Sequence, residues 1–567
     1  MNKWVFFLLL GVFFALSHPA NALYNPLDTP NNRFGIHIVD ENDITDAARL
    51  VNANGGDWGY IKLVIREDDR NLDKWQTVFN QLRRAHLIPI VRLATRVENA
   101  VWVKPRVEDI GSWMDFLDAL NWVIENRYVI VFNEPNHAKE WGNQLDPEEY
   151  AWYLKEFSRR LKSRTEDFFI LPAGMDASAP NDVSTMDELD FLRRMVKKEP
   201  DVFEFIDGWT SHSYPNPDFS GKPSDNGRGS IRTYAWELMQ LAKYGKSNLP
   251  VFLTETGWKH NDGKHHYQSY VSVDQVADYY KTAFHGAWND SRLIAVTPFL
   301  LNYQDEPFDQ FSWKKYHESG FYPIYEKVQQ LSKNAGKPTQ HISAQLYAEK
   351  VPGKLLTNST YQIPIDVEST GQTEMGTSSG WSLEANFSLL QTSISTINTV
   401  DPFMQTAIYV NIVTTKQTGT FPYSLSLLYQ GKEIANYSST VTLVEPPKVH
   451  FKAEVLWHKP AIGNDYIIEI TEPNGTPRFT QQSLTMSQGS MILEDMQDLI
   501  PGNYYKFILQ KPGYLPVTVE TIFADGAEII FPTLLPFDPS GDGHFSLSDI
   551  RSFMANPFAS VGLFLAL

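Results

Sequence analysis

From Arg33 to about Lys333, short apolar runs alternate with longer stretches in which apolar residues recur every three to four positions. Short apolar runs suit strands buried on both faces, and the helical period suits the elements that would cover such a sheet. Eight strands are predicted, at residues 33–39, 59–66, 88–93, 128–132, 168–174, 206–212, 250–254 and 293–301. A helix is expected after the second of them, with Asn71 as its cap and Leu72, Trp75, Phe79 and Leu82 as a core-facing stripe. Further helices are expected around 114–124, 148–161, 187–196, 234–242 and 273–284. Eight strand–helix units in about 300 residues predict a parallel (β/α)8 barrel.

After 333–339 the pattern changes to short alternating strands broken by Gly, Asn, Pro and Ser. That change predicts all-β modules. The expected organisation is an export signal at 1–22, the barrel at 23–340, a β-sandwich at 341–446, a second small β module at 447–534, and a C-terminal segment at 535–567. Pro446-Pro447 marks the boundary between the β modules. The second module carries Asp498-Leu499-Ile500-Pro501-Gly502-Asn503-Tyr504, and in its Pro-Gly turn leading a Tyr-bearing strand it resembles small transthyretin-like folds. The sandwich is expected to be immunoglobulin-like.

Composition narrows the class of partner. Aromatic residues make up 13% of the 567, with 15 Trp and 26 Tyr, so rings are expected at clefts as well as in cores. The net charge of -18 argues against nucleic acid or an anionic membrane as the main partner, because both require clustered Lys and Arg. It also disfavours polyanionic substrates. Lys3, the apolar run 5–16 and Ala20-Asn21-Ala22 read as an export signal cut after Ala22. The run is too short for a spanning helix, so the mature chain is expected to be secreted or at the cell surface, without a transmembrane span. With no Cys, disulfides and thiol chemistry are excluded.

Two strands end in a glutamate: the fourth in Val131-Phe132-Asn133-Glu134-Pro135-Asn136 and the seventh in Phe252-Leu253-Thr254-Glu255-Thr256-Gly257-Trp258. The ends of barrel strands form the mouth where such folds do their chemistry, so the two carboxyl groups are expected to face one cleft. Glycoside hydrolysis needs such a pair, one protonated to assist the leaving oxygen and one ionised near the anomeric carbon. Between them, His212 and Tyr214 fall on one face of the sixth strand by its two-residue period, and Tyr214 has a phenolic proton to offer a carboxylate.

Asn-Glu-Pro on strand four, His-x-Tyr on strand six and Thr-Glu-x-Gly-Trp on strand seven resemble clan A glycoside hydrolases over the barrel half of the chain. The resemblance implies Glu134 as general acid/base, Glu255 as nucleophile, Asn133 as a ligand of the sugar 2-hydroxyl, and His212 and Tyr214 as orienting neighbours. It also implies retention of anomeric configuration on β-linked oligo- or polysaccharides. Trp258, Trp141 and Trp313 are candidate stacking platforms, and Arg92 and His37 candidate subsite residues. At the end of strand eight, where a Trp is expected, the chain has Leu300-Leu301-Asn302-Tyr303. A noncatalytic carbohydrate-binding or surface adhesion protein, and a transglycosylase using the same two glutamates, are the rival readings. No cofactor is expected for catalysis.

Asp538-Pro539-Ser540-Gly541-Asp542-Gly543-His544-Phe545-Ser546-Leu547-Ser548-Asp549 matches an EF-hand loop in its oxygen donors and in the Gly at its sixth position. In that register Asp538, Ser540, Asp542, the carbonyl of His544 and Asp549 would bind Ca2+, with Ser546 acting through water. The terminal Asp resembles dockerins, which would make a cohesin the partner.

Overall fold

The computed structural model describes residues 23–388, 390–456, 460–524 and 526–564; the expected export signal lies outside them. The chain divides into two compact units, one comprising residues to Ser343 together with 369–374 and 401–404, the other the remaining residues.

In the first unit eight parallel strands run in chain order: β1 Gly35–His37, β2 Gly59–Arg66, β3 Leu87–Ala94, β4 Arg127–Val131, β5 Phe168–Pro172, β6 Trp209–His212, β7 Val251–Glu255 and β8 Leu293–Val296. β1 to β5 form one hydrogen-bonded sheet and β6 to β8 another. Their edges meet at both seams. At one, the Val296 N–H donates to the Arg33 carbonyl at 2.9 Å and that of His37 to Pro298 at 3.1 Å. At the other, the Asp207 N–H donates to Ile170 at 2.9 Å and Asp176 bridges His212. The strands therefore close into a barrel whose edges are all occupied.

Helices α1 Ile44–Val51, α2 Leu72–Arg84, α3 Ile110–Ala119, α4 Pro147–Lys162, α5 Glu188–Lys198, α6 Thr233–Leu241, α7 Val273–His285 and α8 Pro323–Gln329 connect and follow the strands. α2 shows the local logic. Asn71 accepts the Lys74 N–H at 2.9 Å, satisfying one of the free donors of the first turn, and Trp75, Val78, Phe79 and Leu82 are buried. Leu72, expected in that stripe, is instead exposed, because the first helical position precedes the turn that meets the sheet. β8 also ends earlier than its apolar run suggested. Pro298 has no N–H to extend the ladder, and the chain turns inward over the barrel mouth.

The second unit is β-rich. One pair of four-stranded sheets contains Ala344–Tyr347, Thr360–Ser369, Gln405–Val413 and Gln391–Ile394 in one sheet, and Lys354–Leu356, Lys432–Val444, Gly419–Tyr429 and Trp381–Phe387 in the other. Burial alternates as a half-covered sheet requires: Trp381, Leu383 and Phe387 are buried, whereas Ser382, Glu384 and Asn386 are exposed. The strands from Val449–Lys452 to Glu528–Ile530 form a three-stranded and a four-stranded sheet around a separate core that includes Phe451, Phe507 and Phe531. Two short helices, α9 Leu547–Ala555 and α10 Pro557–Phe564, follow. No helix among the described residues is long and apolar enough to cross a membrane.

Candidate active site

The closed barrel brings Glu134, His212 and Glu255 together at the C-terminal ends of β4, β6 and β7. One side-chain atom from each lies within 4.8 Å of the others. Glu134 reaches this position through an unusual backbone: Phe132 and Glu134 both have positive φ, 70° and 31°, so the chain bends sharply where β4 ends. Such conformations cost about 1–3 kcal/mol each and persist where surrounding contacts impose them. Here the Glu134 N–H donates to the Gly174 carbonyl at 3.0 Å and the Glu134 carbonyl accepts the His137 N–H at 2.8 Å.

His212 Nδ1 lies 2.8 Å from Glu134 Oε1 and 3.7 Å from Glu255 Oε2. Its ring fits against Gly174, where an added Cβ would sit 2.3 Å from the His212 Cδ2. Only glycine leaves room for the imidazole between β5 and the two carboxyl groups. Tyr214 donates its hydroxyl proton to Glu255 Oε2 at 3.0 Å. The other oxygen of Glu255 accepts from Lys62 Nζ at 2.7 Å. Lys62 is wholly buried in the middle of β2.

These partners fix the charge of Glu255. Burial alone would raise its carboxyl, but His212 and Lys62 more than offset that and hold it well below the usual carboxylate range. Burial likewise lowers Lys62 to about 8, against the pull of Glu255. Lys62 escaped the sequence reading because a lysine within an apolar strand has no motif around it. The available signal was the position itself, since a charge between Ile61 and Leu63 on a two-sided strand has to be paired.

The glutamates open into a cavity of about 610 Å3. Its polar side includes Asn133, Arg92, His37, His137, Glu140 and Asp176. Asn133 donates to Glu140 at 3.4 Å, and its own carbonyl oxygen is buried without a partner. Both ring nitrogens of His37 are buried without partners as well, and burial keeps its imidazole neutral. His137 Nε2 is 3.0 Å from an Asp176 oxygen. Burial raises the carboxyl of Glu140 to about 7, with Arg92 opposing.

The opposite side is aromatic, and it is not the set expected from sequence. Trp141, Trp258 and Trp313 are each at most 1% exposed and offer no face to a sugar. Trp141 Nε1 donates to Glu149 at 3.0 Å, Trp258 Nε1 donates to the Gly221 carbonyl at 2.7 Å, and Trp313 packs edge-on against Tyr280. They are core residues of the barrel. The cavity is lined instead by Trp102, Phe219, Phe299, Tyr303, Phe308 and Phe311. Phe299 follows β8 by three residues, so the early end of that strand supplies an aromatic ring where the motif expected Trp. Pro298, inside the run predicted as one strand, is the sequence signal of that break.

No protein-family model and no curated protein matches the chain. Among solved structures it is similar to a family 39 glycoside hydrolase from Bacteroides cellulosilyticus WH2, at 13% identity and TM-score 0.37, covering 69% of this chain and 82% of that one. It is also similar to AbfB, a family 51 α-L-arabinofuranosidase from Bifidobacterium longum, at 10% identity and TM-score 0.35, covering 68% and 96%. Aphid myrosinase overlaps at 13% identity and TM-score 0.32, covering 52% and 86%. At this level of likeness the chemistry rests on the geometry of the site alone.

Proposed function

We propose that this protein is a retaining glycoside hydrolase acting on β-linked oligo- or polysaccharides by double displacement. The observation that carries the reading is the close approach of Glu134 and Glu255, with oxygens within 4.8 Å of each other, at the mouth of the barrel. Inverting enzymes hold their carboxyl groups about 6.5–9.5 Å apart to admit a water, whereas retaining ones keep them about 5–5.5 Å apart.

The two environments divide the roles. Glu255 is ionised by Lys62 and His212 and is the nucleophile; Glu134 protonates the departing oxygen and then activates water. In the first step the anomeric carbon exchanges its bond to the leaving oxygen for a bond to a Glu255 oxygen, and the Glu134 proton goes to the leaving group. In the second, Glu134 takes a proton from water as the water oxygen replaces Glu255. Tyr214 and His212 hold the carboxyl groups in register, and the unpartnered oxygen of Asn133 is placed to accept from a sugar hydroxyl.

Glu255→Ala and Glu134→Gln are expected to lower kcat by at least about 1000-fold while leaving the circular dichroism spectrum unchanged. The hydrolysed products should keep the β-anomeric configuration by NMR. Undiminished hydrolysis in either variant would sink the assignment, and inverted product would sink retention alone. Elongated glycans in place of free reducing ends would favour the transglycosylase reading. Glycan binding by the wild type without turnover would favour the adhesion reading.

For the second unit we propose an immunoglobulin-like and a transthyretin-like module, and a calcium site in the C-terminal loop. The donor set fits a hard cation: Asp538, Asp542 and Asp549 each offer a carboxylate oxygen within 4.8 Å of the others, and Ser540 Oγ lies 2.7 Å from Asp549 Oδ1. Export through the N-terminal signal completes the reading. A cohesin partner has no support beyond the terminal Asp of the loop.

A further inference from the structure

The carboxylates around the cavity have donors of their own. Glu255 has Lys62 and Tyr214, Glu134 has His212, and Asp176 has His137. Glu140 accepts from Asn133, and burial raises its carboxyl to about 7, with Arg92 and Lys139 opposing. Arg92 stands outside this pairing. It extends from β3 into the cavity wall, is only 9% exposed, and makes no side-chain hydrogen bond or ion pair among the described residues. Its Nε is buried without an acceptor, its guanidinium lies 5.6 Å from the centre of the Trp102 ring, and its charge opposes the burial-driven rise of the Glu140 carboxyl without a hydrogen bond between them.

A guanidinium always carries its charge and presents five donors in a planar fork. Leaving it desolvated without acceptors is costly, so a buried, unmatched arginine in a cavity wall is a site waiting for an acceptor from the ligand. The acceptor that fits the fork best is a carboxylate, which takes two parallel N–H bonds. Lys139, exposed at the edge of the same cavity and free of ion pairs among the described residues, adds a second positive charge.

We propose that the glycan bound in this cavity carries a carboxylate, as a β-linked uronic acid, and that Arg92 is the residue that binds it. The proposal rests on the glycosidase reading and names its substrate class. It is local in character: the chain as a whole is strongly acidic and the cavity itself holds Glu134, Glu140, Asp176 and Glu255, so recognition of an acidic sugar falls to Arg92 directly, with Lys139 at the edge. Trp102 lies beside the guanidinium, so a sugar ring on the aromatic wall brings its carboxylate towards the fork.

The test uses the full chain carrying Glu134→Gln, which binds without efficient turnover. It is titrated calorimetrically with β-linked glucuronic- and mannuronic-acid oligosaccharides and with the same oligosaccharides after carboxyl reduction. An acidic oligosaccharide is expected to bind at least about tenfold more tightly than its reduced counterpart. Adding Arg92→Gln should abolish that difference while leaving the affinity for the reduced sugar within about twofold, and Arg92→Lys should restore part of it. Equal affinity for acidic and reduced sugars, a preference that survives Arg92→Gln, or no binding of any of them would overturn the proposal. Glu255-dependent hydrolysis of a neutral β-glycan by the wild type would leave the glycosidase reading intact while removing the uronic acid.

Discussion

At the scale of single residues, the site depends on how each oxygen of Glu255 is occupied. Tyr214 donates to one and Lys62 to the other, and neither partner lies near Glu255 in sequence. Removing the cation leaves a buried carboxylate with one donor, which raises its pKa towards that of a desolvated acid. Under the proposed double displacement Glu255 has to be ionised, so Lys62→Met is expected to move the acid limb of the kcat/KM profile to higher pH, with activity falling more at about pH 5 than at about pH 7. A profile with its acid limb in place would show that Lys62 does not control the ionisation of Glu255. Breaking this buried pair should also cost about 3–5 kcal/mol of stability, which urea unfolding would read separately.

At the scale of elements, the loop that leads into α9 has two tasks. Asp549 accepts the Ser546 N–H at 2.6 Å as part of the capping box of α9, and it also faces Asp538 and Asp542. Asp538 accepts N–H bonds from Gly541, Asp542 and Gly543, which draw the loop around it. Calcium bound here would offset the repulsion of three carboxylates and so tie the cap of α9 to the metal. In the full chain, calcium is expected to give a saturable heat of binding that disappears in the double variant Asp538→Ala, Asp542→Ala. The absence of any heat from the wild type would remove the site. The same scale explains Phe299: an aromatic wall at the barrel mouth comes from where β8 stops, not from what the strand contains.

At the scale of the barrel unit as a whole, Glu188 on α5 and Glu237 on α6 are both wholly buried. Burial raises both carboxyls, and the charge of Glu237 raises Glu188 further, so the folded pair retains protons that the unfolded chain has released. Glu237 accepts the Trp209 indole N–H at 3.1 Å, which anchors the pair behind β6. With folded pKa values above the unfolded value of about 4.3, the pair's contribution is complete below that pH and is lost as pH rises towards the folded values. Glu237→Gln is therefore expected to flatten the fall in stability with rising pH. The Tm difference between variant and wild type should be at least about 2 °C more favourable to the variant at pH 7 than at pH 4. Parallel Tm curves for the two proteins would refute the linkage.

Much of this was legible in the sequence because it depends on local period and on strand ends. Alternating apolar runs and amphipathic stretches specify parallel strands with helices between them, and a glutamate directly after a buried strand is placed at the rim by chain geometry. The sequence places His212 and Tyr214 near those glutamates, but β6 ends at His212, and which carboxyl each meets was decided by the fold. Tertiary structure alone decided what each charge meets and which rings face the cavity. Trp141, Trp258 and Trp313 are core because neighbouring helices and loops cover them, and covering is not encoded in the few residues around each Trp. Lys62 beside Glu255 spans 193 positions, and Arg92 is notable for the partner it lacks. Both are properties of closure: only when β1 to β8 form a ring do side chains from strands distant in sequence share one desolvated space, where pairing determines charge.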